Sequence, residues 1–71
     1  MLDGKKIGRF IAEKRRENGM TQQSLADRLS VSFQAVSKWE NGTAYPNVEL
    51  LYDLAEALAV SVDELLMGRE Q

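Results

Sequence analysis

Between Thr21 and Gly42 the apolar positions change phase. Leu25, Ala26 and Leu29 recur at helical spacing, Val31 falls in a break, and Val36 and Trp39 lie three apart on a second stripe. The polar positions left facing outward are Gln22, Gln23, Ser32, Gln34, Ser37 and Lys38, a row of hydrogen-bonding side chains with few carboxylates. Thr21 and Ser32 are residue types whose side-chain oxygen accepts from the free backbone N–H groups of a helix start, and Asn41-Gly42 offers a left-handed stop. The pattern predicts two helices of about two turns each, joined by a turn of three or four residues. A small Ala26 on the first lets the second cross it closely.

The remaining apolar stripes predict three more helices. Lys5 to Asn18 carries Ile7, Phe10 and Ile11 on one face and is closed by Asn18-Gly19, with Met1 to Gly4 expected to be a flexible N-terminus. Pro46 biases Tyr45 away from helical angles and prepares a start at Asn47. From there to about Leu58 the residues Leu50, Leu51, Leu54, Ala55 and Leu58 form the longest apolar stripe of the chain. Ser61 and Glu64 have capping-box spacing and open a last helix through Met67, which Gly68 ends. There is no alternating strand pattern, internal repeat or linker, so the expectation is all-α: one compact five-helix domain over residues 5–68, with 69–71 as a tail. At its centre lies a helix-turn-helix at about residues 21–41, the geometry in which a second helix stands out from the body and can enter a DNA major groove.

Composition narrows the chemistry. With 71 residues and 44% hydrophobic content there is room for a single small core. The sequence has no cysteine and no histidine, which removes disulfides, thiolate nucleophiles, sulfur metal sites and the usual neutral-pH acid–base group. No nucleophile–base pair, phosphate loop or metal-ligand cluster is present, so no enzyme, cofactor, metal or small-molecule ligand is expected. Neither a membrane span nor a secretory leader is visible, and the cytoplasm is the expected location. A net charge of -2 argues against nucleic acid until its distribution is considered. Residues 1–42 hold eight basic against five acidic side chains, and residues 43–71 hold one against six. The helix-turn-helix lies in the basic part.

The ordered set Thr21-Gln22, Leu25-Ala26, Leu29, Val31-Ser32, Val36-Ser37, Trp39-Glu40-Asn41-Gly42, Pro46, Leu51, Leu54-Ala55, Leu58, Val60-Ser61 and Glu64-Leu65-Leu66 resembles the lambda repressor-like, Cro/C1-type (XRE family) helix-turn-helix domains along almost the whole chain. The resemblance implies base-reading roles for Ser32, Phe33, Gln34, Ser37 and Lys38. It implies phosphate contacts from Gln22, which also braces the recognition helix, and from Gln23, Asn41, Gly42 and Thr43, and a structural ion pair between Arg15 and Glu40. Gln34 could form a bidentate contact to adenine, Lys38 could donate to guanine or phosphate, and Phe33 would touch a thymine methyl or pack onto the domain. Ser30 departs from the family, whose turns usually carry glycine there because a positive φ is needed. Asp27 and Glu40, near the same face, would repel phosphates.

Two functions follow as expectations. The first is a sequence-specific DNA-binding transcriptional regulator, a repressor, placing its third helix in the major groove of a pseudopalindromic operator as a homodimer. Leu66, Met67 and Tyr52 are candidates for pairing. The second is a protein-interaction module, a regulatory partner or antitoxin, that keeps the fold with weak or no DNA binding and uses its acidic side.

Overall fold

Among the described residues, four of the five helices start at a side-chain cap. In a computed structural model that describes residues 2–71, α1 (Gly4–Glu17) begins where Asp3 Oδ1 accepts from the backbone of Lys5 at 3.1 Å and Lys6 at 3.2 Å. Gly4, expected in the flexible terminus, is thus the first helical residue; Met1 lies outside the described residues. The Thr21 hydroxyl accepts from Ser24 N–H and Ser24 Oγ accepts from Thr21 N–H, a reciprocal pair that opens α2 (Gln22–Leu29). Ser32 caps α3 (Phe33–Asn41) through Ala35 N–H at 3.2 Å. Asn47 precedes α4 (Val48–Leu58) without a side-chain cap, and the Ser61–Glu64 box opens α5 (Val62–Met67).

The five apolar stripes meet in one core. Ile11, Leu25, Val36, Leu54, Leu58 and Leu65 are fully buried at its centre, with Phe10 and Trp39 beside them. Helix α1 packs on α3 and α5, α2 crosses α3 and rests on α4, and α4 meets α5. At Gly8 α1 comes close to the backbone of α3: a Cβ there would stand 2.3 Å from the Trp39 carbonyl oxygen and 2.6 Å from that of Glu40. Asn18 ties helix ends together, its Nδ2 donating to Lys14 O at 2.7 Å and to Leu58 O at 3.0 Å. Leu50 and Leu51, expected in the core, are only half buried, because the first turn of α4 projects past the core and leaves Val48 83% exposed. Residues 69–71 turn back rather than trail: Lys14 Nζ pairs with Glu70, and Gln71 N–H donates to Glu64 Oε2 at 3.0 Å.

The α2–α3 turn passes through Ser30 at φ 58° and ψ 40°, a left-handed conformation that places Val31 N–H 3.0 Å from Ala26 O. That closure is the one a glycine makes without a Cβ penalty. Ser30→Gly is therefore expected to stabilise the domain by up to about 1 kcal/mol, the relief outweighing the extra freedom of the unfolded chain. In a thermal melt this is a rise of a few degrees; a lower midpoint would mean that the serine is unstrained.

Candidate nucleic-acid interface

Helix α3 buries one side and offers the other. Val36 and Trp39 face the core, while Phe33, Gln34, Lys38 and Asn41 are exposed and Ser37 is half buried. Gln34, Lys38 and Asn41 follow one another at four- and three-residue steps, so they run along one side of the helix. Phe33, at 44% exposure, lies outside the buried core. Ser32 has spent an acceptor lone pair on the cap and keeps its hydroxyl hydrogen to donate. Thr43 Oγ1 donates to Lys38 O at 3.3 Å, and Gly42 sits left-handed against Lys5, which holds the exit from α3 close to α1.

Below that face lies a charged junction that connects three helices. Arg15 donates from Nε to Glu40 Oε2 at 2.7 Å, from Nη2 to Glu40 Oε1 at 3.1 Å, and from Nη1 to the Met20 carbonyl at 2.9 Å. Both side chains are largely shielded, 10% and 7% exposed. Gln22 Nε2 adds a bond to Glu40 Oε1 at 2.9 Å. Burial by itself pushes the Glu40 carboxyl up. The hydrogen bonds from Arg15 and Gln22, with the charges of Arg15 and Arg16, outweigh it and hold the group below the ordinary carboxylate value. The expectation that Glu40 repels phosphates is corrected here: its charge is matched by Arg15 and turned inward. Asp27 is exposed and accepts from Gln23 Nε2 at 2.7 Å.

Gln22 therefore has one amide hydrogen committed within the chain and one free. Its backbone N–H and that of Gln23, the first two of α2, have no partner among the described residues, since the capping box reaches only Ser24. A shallow trough of about 370 Å³ joins Gln22, Glu40 and Asn41 to Arg9, Glu13 and Arg16 of α1. The two arginines were not singled out from the sequence as site residues. Their signal is the seven-residue step that puts both on one face of α1.

Elsewhere, Leu66 lines an apolar cleft of about 200 Å³ with Leu2, Tyr45, Pro46, Val48 and Leu51. Met67 lines a neighbouring recess, whereas Tyr52, 69% exposed, lies in a different depression beside Glu56 and Val60. Leu66 and Met67 thus share a recess, and Tyr52 lines another. Among the described residues no cluster of acidic side chains is placed to hold a metal, and no helix is long and apolar enough to cross a membrane.

Two short crossed helices held by three others, with the second presenting a polar outer face, define a lambda repressor-like helix-turn-helix domain of the Cro/C1 type. The chain belongs to the Helix-turn-helix family, whose model matches residues 11–65. It is 43% identical over 60 residues to the HTH-type transcriptional activator BcrR of Enterococcus faecalis, covering 84% of this chain and 29% of that protein. With the cryptic phage CTXphi transcriptional repressor RstR of Vibrio cholerae it shares 37% identity over 60 residues, covering 84% and 54%. Both relatives are longer: the chain spans less than two thirds of either. Its fold matches the crystal structure of the P22 c2 repressor protein in complex with a synthetic operator, with a TM-score of 0.83 and 37% identity over 87% of this chain and 94% of that one.

Proposed function

We propose that the domain binds double-stranded DNA in a sequence-specific way and regulates transcription in the cytoplasm, repressing by occupying an operator as a homodimer. The observation that carries this is the outer face of α3, where Ser32, Phe33, Gln34 and Lys38 stand exposed while the nearest carboxylate on the helix, Glu40, is neutralised beneath them. Phe33 meets a thymine methyl, Gln34 pairs bidentately with adenine, Lys38 donates to guanine or phosphate, and Ser32 and Ser37 serve base or backbone. Gln22, Gln23, Asn41, Thr43 and the Gly42 backbone hold phosphates, the open amides at the start of α2 adding donors of the right polarity. The operator in the P22 c2 complex and the repressor names of that protein and RstR support the reading. One domain covers only a few base pairs, so useful specificity takes two copies on half-sites about one helical turn apart.

Selection from random duplexes, repeated at several salt concentrations, tests this. The expected product is an inverted repeat whose binding weakens steeply with salt; no enriched motif and no salt slope would end the DNA reading. On the selected site, Gln34→Ala should relax preference at one base pair, a loss of about 1–3 kcal/mol in discrimination. Gln22→Ala should weaken all sequences alike. The opposite assignment of effects would overturn the proposed roles.

A further inference from the structure

The trough between α1 and the helix-turn-helix is lined by two cations with no partner of their own. Arg9 and Arg16 are exposed, and neither has an ion pair or side-chain hydrogen bond among the described residues, unlike Lys14 and Arg15 between them. Arg16 is near enough for its charge to act on the Glu40 carboxyl at the floor of the trough. The same walls carry Gln22, with a spare amide hydrogen, and the exposed side chain of Asn41. Two carboxylates oppose them. Glu40 is matched by Arg15, which leaves Glu13, exposed between the two arginines on the α1 face, as the single uncompensated negative charge.

We infer that this trough seats the sugar–phosphate backbone of duplex DNA beside the groove that α3 occupies, Arg9 and Arg16 each neutralising one phosphate. The inference rests on the DNA-binding reading and extends it to α1. An open trough of about 370 Å³ with both guanidinium groups in solvent does not enclose a small free anion, whereas a strand lying along it meets two cations one after the other. Their Cα atoms are roughly 10 Å apart along the helix, a span that two long side chains adjust to neighbouring phosphates. Gln22 and Asn41 then close the opposite side of the strand with neutral donors. The sites add affinity without sequence preference, because phosphates carry no base information.

The test is the salt dependence of binding to a random-sequence duplex and to the selected operator. Arg9→Gln and Arg16→Gln should each weaken both duplexes roughly tenfold at 0.1 M salt and lower the slope of log affinity against log salt by about one, the double variant by about two. The preferred motif should not move; thermal stability should hold in Arg9→Gln and fall only slightly in Arg16→Gln, whose charge acts on the Glu40 carboxyl. Glu13→Gln should do the reverse and tighten both duplexes. Unchanged slopes in the arginine variants, with wild-type binding intact, overturn the seat and leave the DNA reading standing. Wild-type protein without any salt slope overturns both. Saturable shifts of the Arg9 and Arg16 side chains by inorganic phosphate, with duplex binding unaffected by the substitutions, would assign the trough to a free anion instead and refute the inference.

Discussion

Gly8→Ala is expected to cost the domain about 2 kcal/mol or more of stability. A methyl group at Gly8 would lie 2.3 Å from Trp39 O and 2.6 Å from Glu40 O, with the Glu40 carbonyl carbon at 2.9 Å. These are backbone atoms of α3, so no side chain can rotate away, and the relief is to push α1 and α3 apart. Overpacking of this kind costs about 3 kcal/mol at the upper end of its usual range. Alanine returns roughly 1 kcal/mol through its better helix propensity, which does not reverse the sign. A domain of 71 residues has roughly 4–10 kcal/mol in total. Urea unfolding should show a clearly lower midpoint, and DNA affinity should fall with it because Trp39 and Glu40 sit at the displaced contact. A midpoint at or above that of the parent would mean that α1 does not approach α3 so closely.

Glu40→Ala should be at least as damaging, about 3–5 kcal/mol, because it leaves the Arg15 guanidinium shielded from water without its counter-charge. It also removes the acceptor that orients Gln22. Glu40→Gln keeps the shape and one acceptor oxygen, and its loss should be smaller. The same junction sets an acid limit. In the folded state the Glu40 carboxyl is held below its ordinary value, so its contribution is complete above about pH 4.5 and is lost as the pH falls through the folded-state value. The parent should therefore lose stability below about pH 4.5, and Glu40→Gln should flatten that part of the profile. Equal acid limbs in the two proteins would show that other carboxylates govern it.

Much of this architecture is legible in sequence because it is local. The inward direction of Val36 and Trp39 and the outward direction of Gln34 and Lys38 follow from helical periodicity, and the caps at Thr21, Ser32 and Ser61 from residue chemistry beside an apolar run. Ser30 stands out because a single position in the turn needs positive φ. Ala59 adopts the same conformation, φ 60°, yet nothing local marks it. There the end of α4 is set by Val60 N–H closing on Ala55 O and by Asn18 reaching Leu58 O from another helix. The resemblance turns Gln22 toward the recognition helix, but which residue receives it is hidden for a similar reason. Its partner is 18 residues away, and a cap position says where a helix starts but not what crosses over it. Gly8 carried a signal that periodicity passes over: a glycine in mid-helix is costly unless another backbone needs the space.

The close approach at Gly8 has a mechanical consequence for α3. At its C-terminal end the helix is clamped, with Trp39 and Glu40 pressed on α1, Glu40 bolted to Arg15, and Gly42 seated against Lys5. Toward its N-terminal end burial falls away, until Phe33 and Gln34 stand in solvent. The other end is held as well, since α2 crosses α3 and the turn closes through Val31 N–H on Ala26 O. Braced at both ends, the helix works as a fixed beam that holds Phe33 and Gln34 at one angle to the body.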